Sequence, residues 1–144
     1  MRVEIERVNS KDEEKAVIKA VEITDEISGA VELLEGGNKS FAVSYEDNAY
    51  ILKAEAVYYI ESVDKKTFVY TKERCYDTKY RLYELETMLS GYFMRCSKSM
   101  IINLKKVRSV KSQMSGRIEA TLLNDEIVVI SRGYVKEVKR RLGL

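Results

Sequence analysis

The chain has 144 residues, of which 45% are hydrophobic and 33% charged, a composition typical of one globular domain with a small appendage. It has no histidine, and its two cysteines, Cys75 and Cys96, do not form a Cys-x-x-Cys pair. These counts exclude histidine-dependent triads, histidine or thiolate metal sites and a disulfide scaffold, and they predict a reducing, cytoplasmic location. No apolar run approaches the roughly 20 residues that span a bilayer, and residues 1–8 lack a signal-peptide core.

Charge is distributed unevenly along the chain, although the formal net charge is only +2. Residues 1–64 carry 7 Lys/Arg and 15 Asp/Glu, a net charge of −8, whereas residues 65–144 carry 18 and 8, a net charge of +10. Residues 87–118 contain 7 basic residues and no acidic one. Both a solvated face and a polyanion-binding surface explain such a window. A membrane-surface helix is disfavoured because no basic amphipathic helix coincides with the window.

The first 38 residues predict a short α/β extension. Residues 2–8 alternate charged and apolar side chains, which predicts a strand. Ser10 or its neighbour can cap a following helix, and residues 16–21 fit either a continued helix or a second strand. Apolar side chains at helical spacing over residues 23–34 predict a firmer helix, which the Gly-Gly-Asn of residues 36–38 ends. We therefore place a domain boundary after residue 38.

Residues 39–144 predict a mainly β domain. Short segments rich in Val, Ile, Tyr, Phe and Thr are separated by turn residues. The predicted strands are residues 40–44, 49–52, 56–62, 67–71, 74–80, 92–97, 99–104, 107–110, 117–123 and 126–130. Helical spacing predicts a helix at residues 81–90 and another that Ser131 caps. The predicted fold class is mainly β, with small antiparallel sheets and short helices.

Several short motifs resemble catalytic or phosphate-binding sites but lack the neighbouring structure that such sites require. Ser62 and Lys65 have a nucleophile-and-base spacing, but that chemistry needs a helix and this segment runs from a strand into a turn. Residues 36–40 lack the spaced first glycine of a phosphate-binding loop. We predict no catalytic residue, no metal, no cofactor and no small-molecule substrate. For Cys96, which lies among cations, a buried inert thiol and an activated thiol both stay open.

Three segments, in chain order, resemble the LytTR DNA-binding domain. Residues 92–104, Tyr-Phe-Met-Arg-Cys-Ser-Lys-Ser-Met-Ile-Ile-Asn-Leu, are similar to a signature in which an aromatic and an Arg precede a polar turn and an aliphatic run ends in Asn. Residues 124–136 resemble the family's hairpin, Ser-Arg-x-Tyr segment and terminal helix, and residues 56–62 resemble its opening strand. The resemblance covers residues 44–144 and implies a mostly β fold that presents loops, rather than a recognition helix, to DNA grooves.

The resemblance also implies which residues contact DNA. Base or groove contacts are expected from Ser97, Lys98, Ser99 and Arg132 and, on another hairpin, from Lys65 and Lys66. The cations expected to contact phosphates are Arg95, Lys105, Lys106, Lys111 and Arg117. Because side chains alternate along strands, only some of these can face the DNA. The family commonly has His where this chain has Ser97, and serine can hydrogen-bond there but cannot stack or carry charge.

The leading hypothesis is a bacterial transcription regulator that is not an enzyme. It would stand alone, with residues 1–38 in place of a receiver domain. The resemblance implies that it binds double-stranded DNA, reads promoter direct repeats, bends the duplex and forms a homodimer on adjacent repeats. The alternative is a protein-interaction module, in which the acidic N-terminal segment binds a membrane-protein or regulatory partner, or masks the basic surface.

Overall fold

The computed structural model describes residues 1–34, 39–89 and 91–144. The chain divides into two compact units, residues 1–37 and residues 38–144. In the described part of the second unit, ten strands form one seven-stranded and one three-stranded antiparallel sheet, with two short α-helices. The predicted fold class, mainly β with antiparallel sheets and short helices, is confirmed.

The first unit is helical in its described part. A single 3₁₀ turn spans Lys11–Glu13, and helix α1 spans Asp25–Leu34. The predicted strand at residues 2–8 is wrong, and residues 16–21 form neither helix nor strand. An alternating pattern becomes a strand only where a neighbouring strand pairs with it, and the described part of this unit has none. The predicted helix stop at residues 36–38 lies outside the described residues.

The elements of the second unit start and end within two residues of the predicted ones. The strands of the large sheet are β1 Ser40–Tyr45, β2 Asn48–Lys53, β3 Val57–Val63, β4 Lys66–Thr71, β5 Cys75–Thr78, β6 Phe93–Ser97 and β7 Met100–Asn103. Those of the small sheet are β8 Val107–Ser112, β9 Ile118–Leu122 and β10 Ile127–Ile130, and the helices are α2 Leu82–Met88 and α3 Arg132–Leu142. The strand orders are β2-β1-β5-β4-β3-β7-β6 and β10-β9-β8.

The large sheet separates two hydrophobic cores, and β7 contributes to both. Ile101 packs in the core that α2 covers, which includes Leu82, Leu85 and Leu89. The next residue, Ile102, packs in the core formed with the small sheet and α3, which includes Ile118, Ala120, Leu122, Val128, Ile130 and Val138. Burial of each large aliphatic side chain contributes about 1.5–3 kcal/mol. Since both faces of β7 are buried, its sequence is a continuous apolar run rather than an alternating one.

Asn103, at the end of that apolar run, is one of the buried polar residues. Its Nδ2 donates a hydrogen bond of 2.8 Å to the Val57 carbonyl, and its Oδ1 accepts one of 3.0 Å from the Lys105 N–H. The side chain thereby joins β7 to the start of β3 and caps the 3₁₀ turn Leu104–Lys106. A polar residue here satisfies backbone groups that would otherwise be buried without partners.

We predict that Asn103→Ala lowers the free energy of unfolding by about 1–3 kcal/mol, because it leaves a buried carbonyl and a backbone N–H unsatisfied. Urea denaturation followed by circular dichroism measures the loss. Asn124→Ala is the matched control, since the Asn124 side chain accepts one backbone N–H at 3.2 Å in an exposed turn. Equal losses in the two variants would contradict the role of burial.

Candidate nucleic-acid interface

Two hairpin turns of the large sheet lie side by side. The β3–β4 turn spans residues 63–66, and the β6–β7 turn spans residues 97–99. The Ser62 N–H donates a hydrogen bond of 2.8 Å to the Ser99 carbonyl. Because β3 and β7 run antiparallel, this bond joins the end of β3 to the turn that precedes β7.

The small sheet adds a third turn and the start of α3 to the same end. The Ser131 N–H donates a hydrogen bond of 2.8 Å to the Cys96 carbonyl. Arg132 and Ser97 directly follow these two bonded residues in the chain, so the start of α3 lies close to the β6–β7 turn. Ile118 pairs with both Ser112 and Ile130, which places the β8–β9 turn, residues 113–117, beside the start of α3. We call this end of the second unit the cationic end, and define it by residues 63–66, 97–99, 113–117 and 131–132.

The β3–β4 turn projects two lysines. Asp64 and Lys65 have φ angles of 49° and 67°, the left-handed conformation of a two-residue hairpin turn. Lys65 and Lys66 are exposed, and the Arg81 guanidinium donates a hydrogen bond of 3.3 Å to the Lys65 carbonyl. Asp64 offsets part of the turn's positive charge. The turn therefore exposes two lysines, and its backbone is bonded to the Arg81 side chain.

The β6–β7 turn is shaped by its own serines. The Ser97 hydroxyl oxygen accepts a hydrogen bond of 3.2 Å from the Ser99 N–H, and a β-bulge precedes it between Arg95 and Ser97. Lys98 and Ser99 are exposed, whereas Ser97 is half-buried. Bulges of this kind redirect side chains. The Ser97 hydroxyl thus already has a structural role in the turn, and Lys98 is the charge that the turn presents.

Arg132 packs against the β8–β9 turn. A Cβ added to Gly116 would come within 3.0 Å of the Arg132 Cδ and 3.2 Å of its Cγ, so the arginine stem lies directly on this glycine. The φ angle of Gly116 is +87°, which a residue with a Cβ rarely adopts. Arg117 is exposed beside it, and so is Lys111, which lies opposite Glu119 in the strand pairing.

Arg95 is already occupied by partners within the protein. Its Nε donates a hydrogen bond of 2.9 Å to the Glu86 carboxylate, and its Nη1 donates one of 2.6 Å to the Lys98 carbonyl. Its side chain is 21% exposed. The residue lies beside the cationic end, but its charge is balanced by Glu86.

Lys105 and Lys106 lie at the opposite end of β7 from the β6–β7 turn. The Lys105 ammonium is 4.1 Å from the centroid of the Tyr92 ring, and the Lys106 ammonium is 5.1 Å from that of Tyr58. β7 has four residues, at about 3.4 Å each, so more than about 10 Å separates these lysines from residues 97–99. The structure does not bring them together with the other predicted contacts.

Three further cations lie beside the cationic end, and the sequence analysis did not include them among the expected DNA contacts. Lys79 directly follows β5, whose last residue pairs with Thr67 next to Lys66. Arg81 contacts the β3–β4 turn, and Lys136 lies one helical turn after Arg132. The i, i+4 spacing of Arg132 and Lys136 was a signal in the sequence. Lys79 and Arg81 gave none, because only the strand order places the segment between β5 and α2 beside the β3–β4 turn.

The opposite end of the second unit carries acidic turns. The β1–β2 turn contains Glu46 and Asp47, and the β9–β10 turn contains Asp125. Asp125 forms an ion pair with Arg108, whose Nη2 also donates a hydrogen bond of 2.9 Å to the Leu123 carbonyl. Lys105 and Lys106 lie at this end too, so its charge is mixed.

The structure favours an inert thiol at Cys96. The side chain is fully buried, and this burial raises the pKa of the thiol to about 12, a rise that the Arg95 charge only partly offsets. The described residues contain no cluster of three or more acidic or cysteine side chains that could hold a metal ion. Among the same residues, no helix is long and apolar enough to cross a bilayer.

The LytTr DNA-binding domain family matches residues 47–143, and the chain belongs to this family. The resemblance noted in the sequence is therefore confirmed. A solved LytTr DNA-binding domain from Bacillus cereus superposes with a TM-score of 0.68 at 27% identity, covering 73% of this chain and 97% of that one. The second unit is thus a DNA-binding domain of the kind found in transcriptional regulators.

Two relatives extend the similarity beyond this domain. The chain is 28% identical, over an alignment of 150 positions, to the sensory transduction protein LytT of Enterococcus faecalis, covering 96% of this chain but 62% of that protein. It is 29% identical over 140 residues to an uncharacterised HTH-type transcriptional regulator of Staphylococcus aureus, covering 95% of each. Despite the latter name, the described residues here contain no helix-turn-helix, since five strands separate α2 from α3.

We predict that Gly116→Ala displaces Arg132 as well as straining the backbone. Gly91→Ala is the matched control, because its φ is also positive, at +96°, and nothing lies within 4 Å of the added Cβ. Each variant should lose about 1–3 kcal/mol of stability through the φ angle, measured by urea denaturation. Only Gly116→Ala should also weaken DNA binding in a fluorescence anisotropy titration. Equal DNA binding by the two variants would contradict the prediction that the position of Arg132 against Gly116 matters for DNA binding.

Proposed function

We propose that this chain is a transcription regulator that grips promoter DNA with its cationic end and catalyses no reaction. The observation that carries the proposal is the convergence of four cations at one end of the β unit: Lys65, Lys66, Lys98 and Arg132. These residues come from three separate segments of the chain, joined through the Ser62–Ser99 and Ser131–Cys96 hydrogen bonds. Family membership supports the same conclusion.

The dimensions of the turns support insertion into a groove. Paired strands lie about 5 Å apart, whereas the major groove of B-DNA is about 12 Å wide and admits a two-stranded ribbon. In this proposal Lys98, Ser99 and Arg132 reach base edges, and Lys65 and Lys66 enter the groove from the neighbouring turn. Ser97 acts mainly by shaping the turn, as its bond to the Ser99 N–H indicates.

Phosphate contacts would surround these residues. Lys111 and Arg117, together with Lys79 and Lys136, are exposed at or next to the cationic end. Contacts to phosphates fix position and orientation but do not read sequence. Lys105 and Lys106 are left out of the proposed contact set because they lie at the other end of β7, and Arg95 is left out because Glu86 already binds it.

The finer features of the proposal follow from the family resemblance alone. They are recognition of direct repeats, a homodimer on adjacent repeats and bending of the duplex. A cytoplasmic location belongs to the proposal as well, on the separate ground of the cysteine usage. Bending would cost about 1–6 kcal/mol, offset by added contacts. A domain boundary after residue 38, with a regulatory extension before it, belongs to the same proposal.

We predict that Arg132→Ala and Lys111→Ala weaken DNA binding in different ways. Loss of an arginine at a guanine edge should cost about 1–3 kcal/mol on the chain's own upstream DNA and less on scrambled duplex. Loss of a phosphate contact should weaken both DNAs alike and reduce the log–log salt slope by about 1. For wild type, about six phosphate contacts correspond to a slope near −5.

Fluorescence anisotropy over a salt series, on both duplexes, measures these quantities. If the wild-type chain bound its own upstream DNA no better than scrambled duplex at moderate salt, the proposed function would be wrong. If the two variants behaved identically, the division into base and phosphate contacts would be wrong.

A second candidate function, protein interaction through the first unit, is favoured by its surface. No side chain in residues 1–34 is buried, and Val3, Ile5, Val21 and Ile23 are exposed apolar residues of that segment. Isolated exposed apolar residues are common, but an amphipathic helix such as α1 needs a partner to bury its apolar face. A regulatory protein, a membrane protein or a second copy of this chain could be the partner that buries this face.

Deletion of residues 1–37 tests this candidate. A masking role predicts tighter DNA binding by the truncated chain, and an assembly role predicts a smaller oligomer in sedimentation analysis. Unchanged DNA affinity together with unchanged mass would contradict both roles. The boundary of the deletion follows the division of the chain into two units.

A further inference from the structure

Arg95 joins three parts of the structure through one guanidinium. It extends from β6, its Nε–H reaches the Glu86 carboxylate on α2 at 2.9 Å, and its Nη1–H reaches the Lys98 carbonyl in the β6–β7 turn at 2.6 Å. The neighbouring Leu85 is fully buried in the core that α2 covers. Arg95 therefore connects the Glu86 carboxylate, on a packed helix, to the backbone of a surface turn.

These two contacts hold Arg95 in one orientation. Hydrogen bonds to a carboxylate are about twice as strong as neutral ones, and the planar guanidinium directs its N–H groups at fixed angles. Ser97 pairs with Met100 across the turn, so Lys98 lies at the tip of the turn, outside the strand pairing. The carbonyl of Lys98 is thus held by a side chain where the β ladder does not hold it.

We propose that Arg95 is a positioning residue for DNA recognition and not a DNA contact, and that Glu86 is its essential partner. Together they hold the β6–β7 turn in the conformation that directs Lys98 and Ser99 outward. This inference rests on the proposed function, in which that turn enters a DNA groove. It revises the expectation that Arg95 contacts a phosphate.

The two roles predict opposite effects for Glu86→Ala. If Arg95 contacted phosphate, removal of the carboxylate would free its charge and strengthen binding to every duplex. If Arg95 positions the turn, the same change lowers the preference for the chain's own upstream DNA over scrambled duplex. We expect about a 10-fold loss of this preference, which corresponds to one charge-assisted hydrogen bond.

Arg95→Lys separates charge from geometry. Lysine keeps the positive charge but cannot direct two N–H groups at both partners. Positioning predicts that Arg95→Lys loses the same preference as Glu86→Ala, and that the double variant is no worse than either single one, because the two residues act as a unit. A phosphate contact predicts that Arg95→Lys keeps both the preference and the salt slope.

The matched control lies at the opposite end of the same unit. There Arg108 also binds a carboxylate, on Asp125, and a turn carbonyl, on Leu123. Arg108→Lys and Asp125→Ala therefore make the same chemical changes on a turn outside the proposed interface. They should leave the preference for upstream DNA unchanged, and a loss equal to that of the Arg95 and Glu86 variants would overturn the proposal.

A measurement without DNA distinguishes failure of this inference from failure of the proposed function. Hydrogen exchange of the free protein should be faster at the Ser99 amide in Arg95→Lys than in wild type, because the Ser97–Ser99 bond depends on the turn conformation. Unchanged exchange together with unchanged DNA preference overturns the positioning role alone. Absence of any sequence preference in the wild-type chain overturns the proposed function, while the exchange result still decides the role of Arg95.

Discussion

The antiparallel pairing of β7 with β3 and β6 is the interaction on which the rest of the second unit depends. It places the turns before β7 and after β3 at the same edge, where the Ser62 N–H meets the Ser99 carbonyl. Burial of both faces of β7 fixes this pairing, since a shift of one residue would exchange Ile101 and Ile102 between the two cores. The position of the cationic turns is therefore a consequence of core packing.

The strand arrangement determines which of the basic residues lie together in the fold. Along the sequence, the basic window of residues 87–118 looks like one surface. In the fold it divides, because β7 carries the chain from the turn at Lys98 to the far end at Lys105 and Lys106. Residues distant in sequence, Lys65 and Arg132, join the turn instead. The other end combines the acidic turns with Lys105 and Lys106, so its charge is mixed.

The sequence predicted the ten strands and two helices of the second unit because turn residues and the changes of hydrophobic period are local signals. Residues 2–8 show the limit of such signals, since their alternation has no partner strand among the described residues of the first unit. Arg95 shows another limit. Its basic character suggested a phosphate contact, and only the structure reveals that Glu86, nine residues earlier, lies within hydrogen-bond distance. Lys79 and Arg81 became candidates only once the strand order was known.

In the proposed complex, DNA lies against the cationic end and the cations beside it, and nowhere else on the second unit. Hydrogen–deuterium exchange of the full chain, with and without its own upstream duplex, tests this most directly. We predict protection confined to residues 63–66, 79, 97–99, 111–117 and the first two turns of α3, which are the cationic end and the proposed phosphate contacts beside it. Protection at the β9–β10 turn and around Lys105 and Lys106, with the cationic end unchanged, would contradict it.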